Sequence, residues 1–177
     1  LGNLKVFGTA YFSSSATCVG AIGDEKNDKL YWFVTDPGAS TPFDGIFEYS
    51  SSGSVAPVLI DTNLDVLRFQ TNNTITGINV IDGMIFWTDN QSEPKKINIQ
   101  RSIAGTNSNG TIHTDFFNDK RTESFGPIKE EHITVIKKGP TTAPTVELIS
   151  ERDPSMMYSG VMRITTPPIP ITVPSLK

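Results

Sequence analysis

The feature that most constrains this chain is a hairpin that recurs. Ile78-Asn79-Val80-Ile81 and Met84-Ile85-Phe86-Trp87-Thr88-Asp89 are strand-like runs joined by Asp82-Gly83. That dipeptide favours tight hairpins because both of its positions tolerate positive φ. Upstream, Val19 to Ile22 reads as a strand, Gly23 to Lys29 as a polar turn, and Leu30-Tyr31-Trp32-Phe33-Val34 as a strongly apolar strand. Set side by side, Leu30-Tyr31-Trp32 matches Ile85-Phe86-Trp87, and Thr35-Asp36 matches Thr88-Asp89. Phe33 and Val34 are then two extra residues in the first copy. Ile46-Phe47-Glu48-Tyr49 matches Ile97-Asn98-Ile99-Gln100, and the two tryptophans stand 55 positions apart. Repeats of about 40–50 residues with four short strands each suggest propeller blades. Two similar hairpins in an ordinary β-sandwich fit the same pattern.

Period-two alternation continues through Val6 to Phe12, Val58 to Ile60, Thr111 to Phe117 and His132 to Lys137, each read as a strand, with Ala104 to Gly110 as a glycine-containing turn. Asn63 to Phe69 is the best helical stretch and is too short to count as one. The expected fold is all-β: about two four-stranded blades of a propeller over residues 1–138, then a proline-rich linker, 139–145. A small β unit follows at 146–166, with strands at Val146 to Ile149 and Gly160 to Thr165. The end, 167–177, is an extended proline-rich tail, because proline cannot donate to a sheet ladder.

Charge and cysteine usage narrow the function classes. A net charge of −4 with 19% charged residues gives no general attraction to phosphate backbones. Cys18 is the one cysteine, so no intrachain disulfide framework exists, and it reads as a small buried apolar residue. No apolar run approaches the roughly 18–20 residues of a membrane span. Leu1-Gly2-Asn3 looks like a cut end, so the chain is expected to be part of a longer protein.

The block Phe86-Trp87-Thr88-Asp89-Asn90 followed by Glu93-Pro94-Lys95-Lys96-Ile97-Asn98 resembles the YWTD blade repeat. In that repeat an aromatic pair packs between blades while the Thr hydroxyl and Asp carboxylate bond backbone N–H groups of the turn. Tyr31, Trp32, Thr35 and Asp36, with Phe86, Trp87, Thr88 and Asp89, are accordingly structural motif residues. A wider pattern also includes Cys18-Val19-Gly20, Ala56 to Asp61, Ile75 to Asn79, His132 to Lys137 and Pro140 to Pro144. It is similar to large virion structural proteins of tailed bacteriophages, especially marine and crAss-like ones. The resemblance spans roughly residues 15–148. It implies a tail or nozzle-type component assembled into a ring, with other virion proteins and copies of itself as partners. It also implies proximity to packaged DNA without sequence recognition, and assembly in the bacterial host cytoplasm.

Catalytic, cofactor and metal sites are not expected. His113 and His132 stand apart from any Ser or Cys nucleophile motif and lack metal-ligand spacing. Asp36 and Asp89 each sit in their own repeat, and Lys95-Lys96 with Arg101 reads as a solvated basic edge. The alternative function is a secreted or surface propeller that recognises peptide or glycan. An enzyme would need Asp36, Asp44 and Asp89 to converge.

Overall fold

The computed structural model describes residues 11–117 and 123–136, together with the backbone of two short strands at 146–149 and 161–164. The chain divides into two compact units, Leu1–Lys137 and Lys138–Lys177. The first holds two antiparallel meanders. One contains β1 (Thr17–Asp24), β2 (Lys29–Asp36), β3 (Phe43–Ser50) and β4 (Val55–Asp61), paired in chain order. The other contains β5 (Gly77–Ile81), β6 (Met84–Thr88) and β7 (Lys95–Asn98), again in chain order. Antiparallel β structure thus dominates, and among the described residues the sheets do not close into a propeller.

The turns obey local chemistry. Asp82 and Gly83 both have positive φ, 48° and 75°, as a type I′ turn demands. Between β1 and β2 a single 3-10 turn, Glu25–Asn27, ends on Asp28 at φ 50°, with Asn27 Nδ2 donating to Asp24 Oδ2 at 2.7 Å.

Strand alternation sends Tyr31 and Phe33 of β2, Ile46 of β3 and Leu59 of β4 to one face of the first sheet. They meet Ile85, Trp87 and Ile97 of the second sheet in the main core. Phe33 and Trp87 touch edge to face, ring centroids 5.5 Å apart. The opposite face of the first sheet carries a separate apolar cluster of Val34, Phe43, Phe47 and Ile60, against which Trp32 packs.

The second meander stops at three strands, where four were expected. After β7 the chain turns into α1 (Ile99–Gly105). Asn98 caps it, its Oδ1 accepting from the Arg101 backbone N–H at 3.0 Å. Ile99 and Ile103, four apart, then pack on the main core. The alternating apolar letters Ile97 and Ile99 suit a strand equally well; the cap decides against it. α1 closes on Gly105, where a Cβ would collide with the Asp115 carbonyl oxygen.

The segment after α1 seals the outer edge of β4. Thr106 Oγ1 donates to Val58 O at 2.9 Å. Thr114 accepts from Ile60 N–H through its hydroxyl at 2.8 Å and returns its own N–H to Ile60 O at 2.9 Å. The exposed ladder of an edge strand is thereby satisfied. Only Asp115–Phe117 of the expected 111–117 strand forms, as β8, paired with β9 (Ser124–Pro127).

Of the strand expected at His132 to Lys137, His132 and Ile133 belong instead to α2 (Glu130–Ile133), Val135 and Ile136 are in no strand, and Lys137 lies outside the described residues. Glu130 and Glu131 favour its N-terminus, and His132 Nδ1 accepts the Lys129 backbone N–H at 3.1 Å. Extended pairing survives only as a bridge between Thr134 and Lys95. Cys18 is exposed rather than buried, because β1 alternation and a bulge between Cys18 and Gly20 turn it away from the core.

Tyr11 and Phe12 are not part of a strand, and the rest of the expected strand from Val6 lies outside the described residues. In the second unit β10 (Val146–Ile149) and β11 (Val161–Ile164) pair antiparallel. The linker 139–145 and the tail 167–177 lie outside the described residues.

Candidate functional site

The polar groups that stand out lie inside the join between the two sheets. Thr35 of β2, Asp44 of β3 and Asp61 of β4 are directly opposite one another across the ladder. They share the face of Phe33, two residues from Thr35, and so point toward the second sheet, which offers Lys95 at the start of β7. All four are buried, Asp61 completely and Lys95 to within 1%.

Buried charges demand partners. Asp61 takes four backbone N–H groups. Oδ1 accepts from Asn63 at 3.1 Å and Leu64 at 3.0 Å, and Oδ2 from Val66 at 2.8 Å and Leu67 at 2.9 Å. One carboxylate thus winds the whole loop after β4, the stretch whose composition resembled a short helix. The loop holds two bulky residues at positive φ, Leu64 at 59° and Arg68 at 55°, a conformation that costs about 1 kcal/mol or more each. Asp44 Oδ2 accepts the next N–H, from Phe69, at 2.8 Å.

Asp44 Oδ1 meets no donor in hydrogen-bonding geometry. Burial pushes the Asp44 carboxyl up to about 6, with the charge of Asp61 adding to it. The nearby Thr35 hydroxyl, the Phe69 N–H and the charge of Lys95 pull the other way.

Lys95 Nζ is held by Ser92 Oγ at 2.8 Å, Leu67 O at 3.5 Å and Glu130 of α2 at 3.5 Å. Glu130 also pairs with Arg68 at 3.1 Å. His113 turns Nδ1 toward Asp61 Oδ1 at 3.5 Å and Nε2 toward Ile128 O at 2.9 Å. The join therefore ties β2, β3, β4 with its following loop, β7, α2 and the segment around His113 into one polar layer. Ser92 and Lys95 make a serine–lysine contact, yet Lys95 donates into it and Ser92 passes its own proton to Asp89 Oδ2 at 2.8 Å. That polarity orders a turn and does not ready a nucleophile.

The expected motif residues separate into two groups. Asp89 Oδ1 accepts Gln91 N–H at 2.9 Å and Ser92 N–H at 2.8 Å, forming the turn that leads to Lys95. Burial pushes its carboxyl up, but these bonds, the Ser92 hydroxyl and Lys95 outweigh that and hold it below the usual range. Asp36 does comparable work at the far side of the first sheet, accepting Ser13 N–H at 2.6 Å and the Ser13 hydroxyl. Bonds from Ser13, Gly38 and Ser15 likewise outweigh burial and lower it.

Thr35 is buried in the polar layer, whereas Thr88 is exposed. Trp87 is buried in the core. Trp32 lies on the opposite face of its sheet, half-buried and stacked on Tyr49 at 5.9 Å. By alternation Phe33, not Trp32, is the counterpart of Trp87, and Tyr31 the counterpart of Ile85. The strand faces then align without any insertion, since a one-residue slip exchanges the faces, while Thr35 and Asp36 come level with Asp89 and Asn90 rather than with Thr88 and Asp89. Tyr31 donates to Glu48 Oε2 at 3.1 Å, and burial together with Glu48 raises its phenol. Phe86 is half-buried on the outward row with Asn79 and Lys96.

Sequence reasoning missed Asp61 and Glu130, and named Asp44 only with Asp36 and Asp89 as acids that an enzyme would bring together. Lys95, read as part of a solvated basic edge, is instead buried, because it turns inward opposite Trp87. The available signal was positional: Asp44 stands at the start of one apolar strand and Asp61 at the end of the next, which antiparallel pairing brings to the same end of the sheet. Among the described residues no group of three or more His, Cys, Asp or Glu side chains is placed to hold a metal ion. No helix among them is long and apolar enough to cross a membrane. Comparison with family models, curated proteins and solved structures finds no match.

Proposed function

We propose that this chain is a structural, non-catalytic component of a tailed-phage virion, a tail or nozzle-type protein whose blade-like sheets assemble into a ring. The observation that carries the reading is the way two consecutive meanders stack face to face through Phe33 and Trp87, with β1 and β5 in contact. Successive propeller blades stack in this manner. The resemblance of the Phe86-to-Asn98 block to phage virion proteins supplies the particle. Val34, Phe43, Phe47 and Ile60 on the outward face of the first sheet are already covered, with Tyr11, Phe12, Ala16 and Ala39 packed against them. What this face offers a further blade or a second copy is its half-buried Trp32–Tyr49 end. Closure takes about four to eight blades, so two sheets require neighbours.

Mass spectrometry of purified particles tests the reading: peptides of this chain are expected among the virion proteins, and their absence from particles sinks it. The rival, a secreted or surface recognition propeller, draws on the positive-φ loop at Leu64 and Arg68, since recognition residues concentrate on loops held by rigid scaffolds. It predicts secretion of the natural protein and retention on a peptide or glycan array.

A further inference from the structure

Beside the polar layer lies an open recess of about 590 Å³, with Thr35 and Asp44 at its floor and Leu64, Arg68, Gln70 and Asn72 around it. We propose that this recess binds a primary alkylammonium group, with the Asp44 carboxylate as its counter-ion.

The charge balance of the join points there. Four carboxylates, Asp44, Asp61, Asp89 and Glu130, face two cations, Lys95 and Arg68, with His113 beside Asp61. Asp89 is met by the Gln91 and Ser92 N–H groups and the Ser92 hydroxyl. Asp61 is met by four N–H groups with His113 beside it, and Glu130 by Arg68 and Lys95. The donors of Lys95 go to Ser92, Leu67 and Glu130. Asp44 is the carboxylate left with an oxygen, Oδ1, that has no partner in hydrogen-bonding geometry, the Thr35 hydroxyl being the donor nearby, and it is 1% exposed.

A neutral hydroxyl ligand would leave the surplus negative charge in place, and an anion would add to it. A calcium or magnesium ion needs about six oxygen ligands and a zinc ion about four ligands, and no group of three or more His, Cys, Asp or Glu among the described residues is placed to hold either. An ammonium supplies three donors and one positive charge, while Leu64 and Phe69 give its methylenes an apolar wall. Seating it shifts the loop that Asp61 and Asp44 hold by its backbone. A proton competes for the same oxygen, so binding weakens as the pH falls below about 6.

The test is backbone amide NMR of the full chain at constant ionic strength, titrated with n-butylammonium, Nα-acetyl-lysine methylamide and Nα-acetyl-norleucine methylamide. Saturable shifts at Phe69, Gln70 and Asn72 are expected with the two amines and not with norleucine. Binding should be several-fold weaker at pH 5 than at pH 7.5, and at least about ten-fold weaker in Asp44→Asn. A response to the lysine derivative alone still supports the site and assigns it to a lysine presented by a protein. Shifts that are absent, or equal with norleucine, overturn the proposal, as does unchanged affinity in Asp44→Asn. Should that variant fail to fold, equal affinity of the natural protein at the two pH values overturns it as well.

Discussion

The two sheets of the first unit differ in how many faces they bury. In the four-stranded sheet both faces are apolar: Tyr31, Phe33, Ile46 and Leu59 look inward, while Val34, Phe43, Phe47 and Ile60 look outward. In the three-stranded sheet Ile85, Trp87 and Ile97 look inward, but the outward row is Asn79, Phe86 and Lys96. The first sheet has the composition of an inner layer, the second that of a layer with one mixed surface. Their shared face sets the ring contact of Phe33 and Trp87 directly beside the charged layer, with Trp87 opposite Lys95. The lesson is that two hairpins with near-identical letters serve different places because alternation, not residue identity, assigns each side chain its face.

Truncating the tryptophans is the strongest way to break this contrast. Trp87→Ala is expected to cost about 3–5 kcal/mol, the range for a large buried aromatic, and Trp32→Ala about 1 kcal/mol because one side of that ring is already open. Urea titration followed by far-UV circular dichroism reads both, and equal losses would mean that the two rings are equivalently placed. Next in size is Asp61→Ala, which strands four loop N–H groups and is expected to cost about 3 kcal/mol. Hydrogen exchange should accelerate at Asn63 to Leu67 before it does so in β6.

Asp44 carries the opposite sign. Its folded-state carboxyl stands near 6 against an ordinary 3.8, so the folded form takes up a proton that the unfolded chain does not. Stability should therefore rise as pH falls from above 6 toward 4. It should fall again at lower pH, when Asp36 and Asp89, whose carboxyls are held below 3.8, lose their charge. Asp44→Asn should flatten the first rise and add about 1–2 kcal/mol at pH 7.5. A melting temperature that is level between pH 7.5 and 4.5 in the natural chain would refute this. The smallest effect is expected of Asp89→Ala, about 1 kcal/mol, since its turn is partly exposed and Lys95 keeps Glu130.

Much of this contrast was legible in the sequence, where local chemistry controls the outcome. Asp82-Gly83 located its hairpin, and the strands around Trp32, Phe47 and Leu59 come directly from alternation. α1 was not legible, because Ile97-Asn98-Ile99 reads as a strand until Asn98 is seen to cap a helix. α2 was hidden in the same way by the β-branched run Ile133-Thr134-Val135. The polar layer escaped because its members come from β2, β3, β4, β7, α2 and the segment around His113. Only the cross-strand register puts Asp44 opposite Asp61, and only sheet stacking sets Lys95 over them. Matching Trp32 with Trp87 favoured identical letters over an equal count of residues, and so placed one ring on the wrong face.

The Asp82-Gly83 turn also bears on the order in which the chain organises itself. A hairpin closed by a two-residue type I′ turn forms in about 1–10 μs, ahead of pairings that must first close a long loop. β5 and β6 should therefore meet early and present Trp87 as a template on which the first meander condenses. The seal that Thr106 and Thr114 place on β4 spans 48 and 54 residues and should form late. Mutations in the β5–β6 turn should accordingly slow folding, whereas loss of the Thr114 hydroxyl should mainly speed unfolding.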